Sequence, residues 1–136
     1  MADDTGDLLQ AVARALRRRY GAAMAEWDIA PGQARALRLV HELEGPRLSV
    51  IAERLRMAPR SATEVIDALE SRGLAQRTPD PTDRRATCVT VTDAGVLMCA
   101  RIDEARAVAA DEFLGGLTAR DREELDRILR LLVDTR

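Results

Sequence analysis

Residues 48–91 read LSVIAERLRMAPRSATEVIDALESRGLAQRTPDPTDRRATCVTV. Leu48, Ile51, Ala52 and Leu55 recur at helical spacing, with Ser49 as the expected N-cap. Arg56-Met57-Ala58 breaks that pattern, and Pro59 then stands where a helix tolerates proline, in its first turn. Ala62, Val65, Ile66 and Leu69 form the apolar stripe of a second helix, which Gly73 ends as a left-handed cap. At 100° per residue the opposite face carries Arg60, Glu64, Asp67 and Ser71, flanked by Ser61, Thr63 and Ala68.

Two short strands follow, expected over Leu74–Thr78 and Thr87–Val91. Alternation turns Val89 and Val91 inward, so Cys88 and Thr90 should point outward. The loop between the strands, PDPTDRRA, holds two prolines and two aspartates around the adjacent Arg84 and Arg85. Arginines at a stiff tip suit the negative potential of a minor groove. Asp80 and Asp83 would repel phosphate if unpaired, so their expected role is wing support, each holding an Arg by a charge-assisted hydrogen bond. Two helices a tight turn apart, followed by a basic wing, make a winged helix-turn-helix suited to double-stranded DNA. The contacts expected are Arg60, Ser61, Thr63 and Glu64 on the second helix and Arg84 and Arg85 on the wing. A winged helix also serves as a protein–protein interaction module without a DNA target, which is the alternative reading.

The stretch resembles the MarR family of transcription regulators. The matching residues are Leu48-Ser49, Thr63, Ile66-Asp67, Leu69-Glu70, Gly73-Leu74, Asp83-Arg84-Arg85 and VTVTDAG over 89–95. The resemblance implies a homodimer with a recognition helix in the major groove and a wing Arg in the minor groove. Many members carry Arg directly after the threonine, where this chain has Glu64, which implies a different operator preference.

The flanks read as helices. Leu8, Val12, Leu16, Tyr20, Met24 and Trp27 mark one over Asp4–Trp27, and Pro31 starts another that Gly45-Pro46 stops. Thr92 caps a long helix to about Leu114, Gly115-Gly116 breaks it, and Thr118 caps a last helix carrying Leu125, Ile128, Leu129 and Leu132. The fold class is therefore all-α with a small β-wing, in one domain spanning 1–136. Residues 31–91 form the winged lobe, while 1–28 and 92–136 form helices too apolar to stand alone and expected to dimerise. The alternative for those helices is an intrachain bundle.

Composition agrees with this layout. Aromatic residues make up 2% of 136, so the core must be aliphatic. The net charge is −2, yet Arg47–Thr87 carries +2 while the residues from Thr92 onward carry −3. All 21 basic residues are Arg, a trait of the whole chain rather than of a site. The acidic start MADDTGD does not read as a signal peptide, and no apolar run reaches membrane-spanning length, so a cytoplasmic protein is expected.

Nothing marks an enzyme. His41 is the sole histidine, no GxSxG or phosphate-binding glycine loop occurs, and no catalytic, metal or cofactor residues are assigned. Arg17-Arg18-Arg19 should be solvated, with ion pairs to Glu123, Glu124 or Asp126. Cys99 reads as helix packing and Cys88 as an outward strand filler. The family's peroxide-sensing branch has its reactive cysteine near the start of the first helix, where this chain has none. The resemblance also implies an effector pocket where the first, second and fifth helices meet the lobe. Tyr20, Met24, Trp27, Arg38, His41 and Met98 are candidates by type, for a small planar anionic or phenolic compound. The competing reading is that the apolar members are plain core.

Overall fold

The computed structural model describes residues 4–135; residues 1–3 and 136, which fall within the ranges expected for the terminal helices, lie outside it. Six α-helices and one two-stranded sheet follow in the order α1 Thr5–Met24, α2 Pro31–Glu42, α3 Leu48–Arg54, α4 Pro59–Ser71, β1 Ala75–Pro79, β2 Thr87–Val91, α5 Asp93–Phe113 and α6 Ala119–Asp134. A 3₁₀ turn over Ala25–Trp27 continues α1, so the expected helix to Trp27 tightens in its last turn. The protein is all-α with a small β-wing. No helix among the described residues is long and apolar enough to cross a membrane.

Local chemistry sets most element ends. Asp4, Thr92 and Thr118 cap α1, α5 and α6 by accepting the N–H groups of Asp7, Gly95 and Asp121. Gly73, at φ 71°, turns the chain out of α4. Ser49 is not a cap. The N-cap of α3 is Arg47, with no side-chain hydrogen bond, and Ser49 lies inside the helix. Arg47 can start the helix uncapped because its backbone is already held against β2, where it bridges Cys88.

The stripes of the lobe converge on one core of Leu37, Val40, Ile51, Ile66, Leu69 and Val89, joined by Met98, Cys99 and Ile102 from α5. The wing strands pair antiparallel in the register Ala75↔Val91 to Pro79↔Thr87. On the other edge of β2, the Val89 N–H donates to the Pro46 carbonyl at 2.9 Å. That neighbouring segment overturns the outward reading of Cys88, which is buried. Thr90 is half-buried as well, with its hydroxyl enclosed. Cys99 is buried too, and burial pushes its thiol pKa up, the wrong direction for a reactive thiolate.

The terminal helices look different. None of α6 is buried. Leu8, Leu9 and Val12 of α1 face an open apolar groove of about 540 Å³ whose other wall carries Ile128, Leu129 and Leu132. The arginine run of α1 does not pair with α6 as expected. Arg19 lies over the Phe113 ring, 5.4 Å from its centroid, and Glu124 is taken by Arg127.

Candidate nucleic-acid interface

The candidate surface begins at the start of α4. The chain leaves α3 through Arg56, held at φ 53°, and Pro59 opens α4 after an Ala58 N-cap that offers no side-chain acceptor. The first N–H groups of α4 therefore find no side-chain partner at the cap, which leaves a positive helix end at the surface. Arg60, Ser61 and Glu64 are exposed there. Thr63 is half-buried, and its hydroxyl donates to the Pro59 carbonyl at 3.0 Å. Among the described residues, no ion pair joins Arg60 to Glu64.

Arg77, from β1, organises the rest of that face. Its guanidinium donates to Glu70 at 2.8 Å and to Asp67 at 2.6 Å, and its backbone N–H donates to the second Glu70 oxygen at 2.9 Å. Burial would lower the Arg77 pKa, but the hydrogen bonds and charges of the two acids outweigh it and raise the value. Two of the three acids on the outer side of α4 are thus paired by one guanidinium from the wing, leaving Glu64 as the unpaired one. Arg77 also fixes the strand against the helix.

A second latch holds the wing. Asp80 is buried at 8% exposure and pairs with Arg47 from the segment before α3. The other Asp80 oxygen accepts both the N–H and the hydroxyl of Thr82 at 2.8 Å. These Thr82 bonds, and then Arg47, hold the Asp80 pKa at about 2, below its ordinary 3.8. Asp83 does something other than grip a guanidinium. It accepts the Arg85 backbone N–H at 3.0 Å, inside a turn closed by Ala86 N–H to the Asp83 carbonyl. Arg84 and Arg85 are exposed at the middle of that turn, with Asp83 exposed beside them.

The six effector candidates are not gathered into one cavity. Tyr20 and Met24 border a hollow of about 380 Å³ with Arg17, Arg18, Arg35 and Arg106. The Arg106 guanidinium lies 4.2 Å from the centroid of the Tyr20 ring. Arg38, tied to Asp103 at 2.8 Å, borders a different hollow with His41. Trp27 borders a third, between the end of α1 and α5, and Met98 is packed into the core. Residue type alone does not reveal which helix faces share a cavity.

Residues 29–87, the lobe that holds α4 and the wing, match the MarR family model. Over that lobe the chain is similar to the MarR family. It is 31% identical over 104 residues to a Thauera aromatica protein named for transcriptional regulation of the hcr operon, covering 76% of this chain but 63% of that relative's length. It is 29% identical over 100 residues to the transcriptional regulator MhqR of Bacillus subtilis, covering 74% of this chain and 69% of MhqR. Wild-type MarR of E. coli in its apo form superposes with a TM-score of 0.92 at 21% identity, over 97% of this chain and 98% of that one. A mutant MarR complexed with operator DNA gives 0.78 at 23% identity, over 93% and 91%. At these identities the structural likeness speaks to the fold. Sequence reasoning missed two residues of this surface, Arg47 and Arg77. Arg47 lies 33 residues from Asp80, and Arg77 reaches back 7 and 10 residues to Glu70 and Asp67 in the preceding helix. The available signal was unpaired acids, Asp67 and Asp80, beside a surface proposed to meet phosphate.

Proposed function

We propose that this chain is a sequence-specific DNA-binding transcription regulator, a repressor acting as a homodimer on a palindromic operator. The observation that carries the reading is the pairing of an uncapped, exposed α4 start with a doubly latched wing ending in Arg84 and Arg85. A surface this strongly fixed is preorganised for a rigid partner. Arg60, Ser61, Thr63 and Glu64 meet base edges and phosphates, Arg84 and Arg85 enter the minor groove, and Asp80 and Asp83 support the wing. The relatives' names point the same way: MdtR of B. subtilis, 27% identical over 110 residues, is named a transcriptional repressor.

Residues 31–91 form the DNA-binding lobe, and the helices over 1–28 and 92–136 dimerise. The exposed apolar groove between α1 and α6 supports this, because the intrachain contacts of α6 leave Ile128, Leu129 and Leu132 uncovered. Control by a small planar anionic or phenolic effector fits the hollow at Tyr20. Burial, and then the charge of Arg38, pushes the Arg106 pKa down, so an anion there would relieve a disfavoured cation. Such a ligand acts by shifting the population between two spacings of the recognition helices.

Selection from a random duplex library tests the reading. The expected result is one enriched inverted repeat. On that duplex Arg84→Ala should bind about tenfold more weakly, with the salt slope lower by about one unit. No enriched sequence would favour a protein-interaction module instead.

A further inference from the structure

The end of α4 meets the turn that closes α1 and the start of α5 at one three-residue segment, Arg72–Gly73–Leu74. On one side, Arg72 donates through Nη1 to the Asp28 carbonyl at 2.7 Å and through Nη2 to the Trp27 carbonyl at 2.8 Å. Those are the last carbonyls of the run that begins as α1, where the chain turns through Asp28 at φ 51°. A guanidinium satisfies two consecutive carbonyls at a helix end, which a lysine ammonium cannot match in geometry. On the other side, the Thr92 hydroxyl at the start of α5 donates to the Gly73 carbonyl at 2.6 Å, and the Thr92 N–H donates to the Leu74 carbonyl at 3.1 Å. Gly95 lies so close that a Cβ there would sit 2.0 Å from the Leu74 carbonyl oxygen.

We propose that Arg72 is a positioning residue, the tie through which α1 sets the orientation of α4, with Thr92 and Gly95 supplying the fixed side of the same joint from α5. The consequence for recognition rests on the reading of α4 as the DNA-contacting helix; the joint itself does not. Movement of α1 reaches the carbonyls of Trp27 and Asp28 first, and Arg72 passes it to the end of α4.

Spin labels at Arg14→Cys and Ser61→Cys report the α1-to-α4 distance directly. The native thiols are buried, and dilution with unlabelled chain removes distances between copies. In the Arg72→Gln background the distance distribution should shift and broaden while helical content is kept. Arg72→Lys, which keeps the charge but not the two-carbonyl geometry, should fall between. It also carries the test if the Gln variant fails to fold. An unchanged distribution in the folded variants overturns the proposal. On the selected duplex, unlabelled Arg72→Gln should lose about fivefold of the preference for the native half-site spacing over one shifted by a base pair. Broadened distances with no selectable duplex would leave the joint standing and bring down the regulator reading. Unchanged distances with normal DNA binding would do the reverse.

Discussion

The winged lobe and the terminal helices spend their apolar residues in opposite ways. In the lobe, α2, α3, α4 and β2 put Leu37, Ile51, Ile66, Leu69 and Val89 at 1% exposure or less, and among the described residues no large apolar side chain of the lobe stands exposed. In α1 and α6, Leu8, Leu131, Leu132 and Val133 stand more than half exposed, and Leu9 and Val12 nearly so. Side chains of this kind gain about 1.5–3 kcal/mol each on full burial. On the proposed reading the lobe is a finished unit, and the open groove between α1 and α6 is the half that a second copy covers.

The largest break in this comparison comes from charging the open half. Ile128→Asp with Leu132→Asp should leave the lobe folded but abolish the dimer, because two-fold symmetry places each carboxylate in the buried seam twice. Sedimentation at micromolar concentration reads the outcome, and a stable dimer would show that the groove is not the interface. Next in size is Gly95→Val, which drives side-chain atoms into the Leu74 carbonyl where lobe and α5 meet. A loss of about 3 kcal/mol or more is expected in thermal or denaturant unfolding; unfolding at the wild-type midpoint would deny the close approach.

Glu64→Gln sharpens the comparison within the lobe. Arg77 pairs with Asp67 and Glu70 but leaves Glu64 exposed and unpaired. If Glu64 accepts from the amino group of cytosine, the Gln variant should relax preference at one base pair per half-site by about 1–3 kcal/mol. Identical selected sequences, with tighter binding everywhere, would leave Glu64 as a deterrent to wrong sites. The smallest effect belongs to the wing latch. The Asp80 pKa is depressed in the fold, so its stabilisation is full above its ordinary 3.8 and fades as pH falls through about 2. The stability gap between wild type and Asp80→Asn should therefore narrow toward zero across that window. A gap independent of pH would mean that Asp80 acts by shape alone.

How much of this was legible in sequence also divides along the comparison. The stripe Ala62, Ile66, Leu69, the Gly73 cap and the threonine caps of α5 and α6 follow from local spacing and chemistry, and they stand where spacing put them. The strands shifted by a residue at most, β1 beginning at Ala75 rather than Leu74. What was not legible needs a neighbour from elsewhere in the chain. Cys88 is buried because Pro46-Arg47 runs beside β2, and Arg47 starts α3 without the Ser49 cap for the same reason. Arg47 finds Asp80 33 residues along the chain, and Arg77 meets Glu70 and Asp67 only once the turn at Gly73 folds β1 back along α4. The effector candidates divide among three hollows and, for Met98, the core, because type and helix face say nothing about which faces converge.

On the proposed reading two copies join through α1, α5 and α6, so that two lobes act together on DNA. The mass of the complex between the full chain and its selected duplex decides this. Two chains per duplex, bound to an inverted repeat whose half-sites lie about one helical turn apart, is the predicted result. One chain per duplex, or two chains bound independently to a direct repeat, would contradict it.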